Sequence, residues 1–238
     1  MMIFNGVDTK DLIDITKITG RGPATQEIIR KSVPGMDGSL YVKKNRPERP
    51  INVEFDLVGL SLEDMRQKVD DLNVILNTDG PVPIVFNDEP NKTYYGSLNG
   101  QPSWDEFLFI GSGAINIICL DPYKYGFEEN ITLGNYPILN GGTAETNPII
   151  TATFTATASE YKIDHSNGKF VRVIYNFVVG DVLTIDLTKR KVTINNNLQM
   201  TAYDWHSVPF SLISGENTLT VTPENIATTE IKFAPRWL

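Results

Sequence analysis

Cysteine is nearly absent from this chain: Cys119 is the single thiol among 238 residues. One cysteine forms no intrachain disulfide and supplies no Cys-rich zinc site. Histidine is almost as scarce, with only His165 and His206, so little material exists for metal chemistry, and neither metal nor cofactor is expected. Positive charge is in deficit. The 21 Lys and Arg face 29 Asp and Glu, for a formal net charge of −8 and a pI of about 4.8. A dedicated nucleic-acid binder carries a basic excess instead. No run approaches the ~20 apolar residues of a membrane span. Residues 1–8 lack the basic start and apolar stretch of a signal peptide. These absences lead us to expect a soluble, acidic protein made in a cytoplasm. The sequence holds no Walker loop, no Gly-x-Ser-x-Gly, no His-Glu-x-x-His and no calcium loop.

What is present has an ordinary globular balance, 41% apolar and 21% charged, and either half is long enough to bury its own core. The halves differ. Residues 1–130 hold 13 Lys and Arg against 20 Asp and Glu; residues 131–238 hold 8 against 9. Threonine, whose branched Cβ suits a pleated surface, rises from 6 to 16 across the same division. This shift predicts two domains, 1–133 and 143–238. They would be joined by the turn-rich stretch 134–142, which contains Asn135-Tyr136-Pro137 and Asn140-Gly141-Gly142.

The first domain reads as strands around one helix. Ile51, Val53, Phe55 and Leu57 alternate with Asn52, Glu54 and Asp56, the pattern of a half-buried strand. Ser61 is placed to cap a helix, with Asp64 three residues on. Leu62, Met65, Val69, Leu72 and Leu76 then follow at spacings of three and four, one apolar stripe about 22 Å long. Further strands are expected at 82–86, 93–98, 106–110 and 114–120. One helix among many strands predicts an α+β sheet with a helix on one face. The lack of β-α-β-α alternation speaks against a dinucleotide fold.

The second domain has no helical period. Strands are expected at 149–157, 169–176, 182–187, 191–195, 217–222 and 230–233. Asn167-Gly168 and Asn195-Asn196-Asn197 supply turns whose residues tolerate positive φ. Short strands at this spacing predict a sandwich or jelly roll.

The order of several local patterns is familiar. They are Pro34-Gly35-Met36-Asp37-Gly38, Arg49-Pro50-Ile51-Asn52-Val53-Glu54-Phe55, Cys119-Leu120-Asp121-Pro122-Tyr123-Lys124-Tyr125-Gly126 and Asn147-Pro148-Ile149-Ile150. Gly180-Asp181 and Gly215-Glu216-Asn217 follow, each before a strand, and the chain ends in Arg236-Trp237-Leu238. Taken in this order, the sequence resembles the distal tail proteins of long-tailed, non-contractile bacteriophages of Gram-positive hosts. The resemblance implies a mainly β protein, with an N-terminal domain that forms a hexameric ring and a C-terminal galectin-like β-sandwich outside it. It also implies a virion location at the distal end of the tail and a structural hub without catalysis. The implied partners are the tail-tube protein, tail-tip proteins (tail-associated lysin or tape measure) and receptor-binding proteins. DNA would pass through the ring without specific binding.

Candidate contacts follow. Lys43, Lys44, Arg46 and Arg49 form the densest basic stretch, stiffened by Pro47 and Pro50. One reading is an arm that reaches an acidic face of a neighbouring subunit; the other is a solvated loop whose charges contribute little. The acidity of residues 1–130 has two readings as well, a channel lining that repels phosphates or ordinary solubility. Tyr203, Trp205 and His206 group an aromatic plate with polar atoms, the makings of a glycan contact. His165-Ser166-Asn167-Gly168-Lys169 faintly echoes a galectin motif, with lysine where arginine's fork is needed. A carbohydrate-binding module is therefore the alternative function, and a glycan hydrolase a third. Adjacent acids such as Asp105-Glu106 give the hydrolase no support, because neighbours on a strand point to opposite faces.

Overall fold

The computed structural model describes residues 1–134 and 136–238. The protein is mainly β and divides into two compact units, Met1–Lys124 with Leu238, and Tyr125–Trp237. The division falls before the expected linker 134–142, of which Asn135 lies outside the described residues. The reason is local: Glu129–Thr132 already pairs with Ala227–Phe233 of the second unit.

The first unit contains β1 (Met2–Phe4), β2 (Val7–Asp8), β3 (Asp14–Thr19), β4 (Glu27–Lys31), β5 (Leu40–Asn45), β6 (Arg49–Val58), α1 (Leu62–Leu76), β7 (Val82–Phe86), β8 (Thr93–Leu98), β9 (Ser103–Phe107) and β10 (Ile110–Cys119). Its main sheet runs β2-β1-β7-β8-β10-β6-β3, with β9 on β10. β6 and β10 pair along their whole length, from Val58↔Ile110 to Arg49↔Cys119. The start of β8 pairs with β7 and its end with β10. Alternation along β6 puts Ile51, Val53, Phe55 and Leu57 inside, as the sequence predicts. They share a core with Met65, Leu72, Leu76, Ile84, Phe86 and Tyr94. Burying such side chains stabilises the fold by about 1.5–3 kcal/mol each.

α1 starts where expected. Ser61 Oγ accepts from the Asp64 amide at 3.1 Å, and Asp64 Oδ2 accepts from the Leu60 amide at 2.7 Å, satisfying two amides at the helix start. The buried stripe is narrower than predicted: Leu62, on the first turn, is 59% exposed. The expected strand at 106–110 is also corrected. β9 ends at Phe107, Leu108 takes φ 55°, and β10 begins at Ile110. An apolar run that reads as a buried strand is instead the tip of a hairpin.

An ionic cluster holds the end of the first unit. Glu89 accepts from Lys124 Nζ at 2.7 and 3.0 Å, Arg21 Nη2 at 3.1 Å, Lys92 Nζ at 3.2 Å and Tyr94 Oη at 3.2 Å. Partial burial pushes the Glu89 carboxyl up, but the hydrogen bonds from Lys124, Arg21 and Lys92 outweigh it and hold it at about 2.

Past β11 (Lys124–Tyr125), the second unit contains β12 (Glu129–Thr132), β13 (Ile138–Asn140), β14 (Ile149–Phe154), β15 (Ala158–His165), β16 (Phe170–Phe177), β17 (Val182–Asp186), β18 (Lys191–Ile194), β19 (Asn197–Leu198), β20 (Gly215–Asn217), β21 (Leu219–Thr222), β22 (Ala227–Phe233) and β23 (Arg236–Trp237). One sheet runs β12-β22-β14-β17-β18-β19 and another β16-β15-β21. Their inner faces share one apolar core, including Ile150, Phe154, Ile185 and Ile231 from the first sheet and Tyr161, Ile163 and Val173 from the second. This is the expected sandwich. Asn195 and Asn196 take φ 50° and 64°, the left-handed pair that a tight hairpin turn requires.

Candidate interaction sites

β4 and β5 form a hairpin of their own. It pairs with no other strand of the described residues, and nearly every residue of it is exposed, including Ile28, Leu40, Tyr41 and Val42. A two-stranded hairpin wet on both faces is marginal by itself. Residues 27–46 carry five basic side chains (Arg30, Lys31, Lys43, Lys44 and Arg46) against Glu27 and Asp37, a basic projection on an acidic protein.

The structure separates the four candidate ring contacts. Lys43 and Lys44 lie exposed on β5. Arg46 follows the strand; its Nη1 donates to Tyr123 Oη at 3.0 Å and its guanidinium sits 5.9 Å from that ring. Arg49 is not part of an arm. It opens β6 two residues before Ile51, so strand parity turns it inward, and it is 5% exposed. Its guanidinium lies 5.8 Å from the Tyr94 ring, and Nη1 and Nη2 make no hydrogen bond among the described residues.

Two surface features of this unit escaped the sequence reading. The β9–β10 tip exposes Phe107, Leu108, Phe109 and Ile110 at 76%, 62%, 41% and 43%. Ile110 pairs with Val58, and the Gly59 amide donates to Phe109 O, so the exposed Val58 and Leu60 adjoin the tip. Grouped exposed apolar side chains of this kind make the tip a candidate interaction site. The tip is anchored from below: Trp104 Nε1 donates to Glu106, which Arg66 of α1 grips with both Nη atoms at 2.7 and 2.9 Å. The second feature is an acidic row across four strands. Asp14 pairs with Asp56, Asp56 with Ser112 and Ser112 with Asp105, all on the face opposite the core. Alternating β6 carboxylates were legible in the sequence, but the row needs the strand register.

The glycan candidates fall on one turn of the second unit. Asp204 is buried and organises it. Its carboxylate accepts from Arg172 Nε at 2.6 Å, the His206 amide at 3.0 Å and His206 Nδ1 at 3.0 Å. These contacts, led by the amide bond, hold the Asp204 carboxyl below the usual range. Trp205 is thereby presented outward at 83% exposure, its ring 3.8 Å from that of His206. Tyr203 is half-buried, packs against the core and lines a cavity whose lining does not include Trp205. The three side chains therefore form no common plate. His165 is buried, with Nε2 3.0 Å from Asn217 Oδ1 and Nδ1 accepting from the Asn167 amide. The galectin echo is thus a structural polar network. Among the described residues no three His, Cys, Asp or Glu side chains group to hold a metal, and no helix is long and apolar enough to cross a membrane.

Comparison with known proteins places this architecture. Residues 7–119 match the phage tail protein RIFT-related domain, and residues 141–237 match the C-terminal domain of siphovirus-type tail components. The distal tail protein of Bacillus phage SPP1 is 34% identical over 215 residues, covering 86% of this chain and 85% of that protein. The crystal structure of SPP1 Dit superposes with a TM-score of 0.87 at 26% identity, covering 100% of this chain and 98% of the other. That protein is described as a paradigm of the hub adsorption apparatus in phages infecting Gram-positive hosts. A chain of the phage p2 baseplate shares the fold, with a TM-score of 0.50 at 12% identity over 95% of this chain and 91% of that one. With one-third identity across most of its length, this chain belongs to the distal tail protein family of siphoviruses.

Proposed function

We propose that this protein is the hub of a phage tail tip, a ring of six copies around a channel for DNA. The observation that carries the reading is full-length likeness to SPP1 Dit, a hub of the adsorption apparatus. One feature of the first unit supports ring closure. The basic β4–β5 hairpin pairs with no other strand among the described residues, and the rest of the chain is acidic. In a head-to-tail ring each hairpin rests on its neighbour, and repeated heterologous contacts close the circle. Lys43 and Lys44 are the contacts we assign to that arm; Arg46 holds its root against Tyr123.

The acidic row Asp14, Asp56, Asp105 supports the channel. Six copies carry a formal charge of 6 × (−8) = −48, and carboxylates facing DNA deny it the cation contacts that drive phosphate binding. The exposed apolar tip at 107–110 is a docking element for the tail-tube or tail-tip proteins on a ring face. The role is assembly and passage, not catalysis.

Light scattering with negative-stain imaging tests this. The expected result is a ring of six with a central hole, reduced to smaller species by Lys43→Glu with Lys44→Glu. A wild-type monomer that binds host wall polysaccharide would replace the hub reading with that of a carbohydrate-binding module.

A further inference from the structure

The second unit carries a cavity of about 210 Å³ at the end of its larger sheet. Its apolar lining includes Leu187, Val192, Met200, Tyr203 and Pro209. Met200 is fixed there, because its Sδ accepts from the Val192 amide at 3.2 Å. An apolar cavity of about 150 Å³ already accepts a benzene-sized group, so this one accommodates a leucine or phenylalanine side chain.

The mouth is mainly cationic, with three basic side chains against Asp186, which pairs with Lys189 at 4.0 Å. Arg190 and Lys191 line the cavity and Lys189 stands beside them, all three exposed on the β17–β18 turn. Asp186 also lines it, but its Oδ1 accepts from the Thr188 and Lys189 amides at 2.9 and 2.8 Å and holds that turn. Of the lining residues Met200 is 42% exposed, and Val208, between the lining residues Ser207 and Pro209, is 49% exposed. Trp205 projects from the turn between Tyr203 and Ser207, both of which line the cavity. An apolar pocket, an outward tryptophan on a turn held by a buried carboxylate, and a cationic rim are the parts of a protein-binding hot spot. A glycan site instead needs polar groups converging on an aromatic plate, and here the lining is mostly apolar and the exposed Trp205 lies outside it.

We infer that this surface docks a protein segment with one large apolar side chain flanked by aspartate or glutamate. The apolar side chain enters the cavity, the flanking carboxylates meet Arg190 and Lys191, and Trp205 covers the segment from the side. The inference rests on the hub reading only for the source of that segment, another protein of the tail tip.

The full chain is probed with an array of synthetic peptides. Each carries a central Leu, Ile, Phe or Met flanked by Asp/Glu, by Lys/Arg or by Ser/Gly. The expected result is selection of acid-flanked Leu or Phe peptides. That binding should weaken about tenfold on Trp205→Ala and at least as much on Arg190→Glu with Lys191→Glu, the latter shifting preference toward basic flanks. Unchanged hydrogen exchange in the sandwich core checks that each variant folds. No preference on the array, or a preference that survives Arg190→Glu with Lys191→Glu, overturns the inference. So does a chain that binds host polysaccharide through Trp205 and selects no peptide. Ring assembly is scored separately by mass. A ring that selects no peptide sinks this inference alone, and a peptide-selecting chain that never forms a ring sinks the hub reading alone.

Discussion

Replacing Glu89 by glutamine removes the carboxylate that Arg21, Lys92 and Lys124 share. The magnitude follows from its titration. A carboxyl near 2 in the folded chain and at its ordinary 4.5 unfolded contributes about 3 kcal/mol above pH 5. Its side chain is 24% exposed, so solvent screening reduces this to about 2–3 kcal/mol. Because the folded value is depressed, the contribution is complete above 4.5 and drains as pH falls toward 2. At pH 3 about 1 kcal/mol remains. Glu89→Gln should therefore lower the melting temperature of the first unit by about 8–12 °C at pH 7, and by less than half of that at pH 3. Calorimetry measures the transition, and hydrogen exchange in β7 and β8 assigns it to the first unit, with β14 and β17 unaffected. An equal loss at both pH values, or no loss at pH 7, refutes the electrostatic reasoning.

Other outcomes follow from local geometry. A Cβ at Gly111 would stand 2.1 Å from the Trp104 ring, so Gly111→Ala should destabilise the first unit by at least about 2 kcal/mol and shift Trp104 fluorescence. Ser61→Ala deletes the cap of α1 and should cost about 1 kcal/mol, read as a small fall in urea midpoint with unchanged slope. Reversing the acidic row by Asp14→Lys, Asp56→Lys and Asp105→Lys should make the assembled ring retain DNA in a low-salt mobility-shift assay; an unchanged mobility would remove these residues from the channel.

The parts legible in the sequence are those in which one face is buried. α1 announced itself through a cap and a stripe, and β6 through alternation, because each has a dry side and a wet side. β4 and β5 have no dry side within the chain, so no period marks them, and their strands went unread although their basic charge stood out. The tip at 107–110 misled in the opposite direction: an apolar run belongs to a core only if the chain folds over it, and here a left-handed Leu108 turns it outward. β15 escaped notice because its third inward position is His165, made tolerable by Asn217, fifty-two residues away in sequence. Arg49 shares the inward parity of Ile51, so the basic stretch splits between an exposed arm and a buried strand start. The cavity under Met200 and the Glu89 cluster join residues from separate strands and turns, and no local window holds them.

The central claim is tested most directly by electron cryomicroscopy of the tail tip of the virion that contains this chain. The expected result is six copies in a closed ring on the tail axis, a continuous hole lined by the first unit, and each β4–β5 hairpin seated on its neighbour. Copies attached singly to the outside of the tail, with no ring and no axial hole among them, would contradict it.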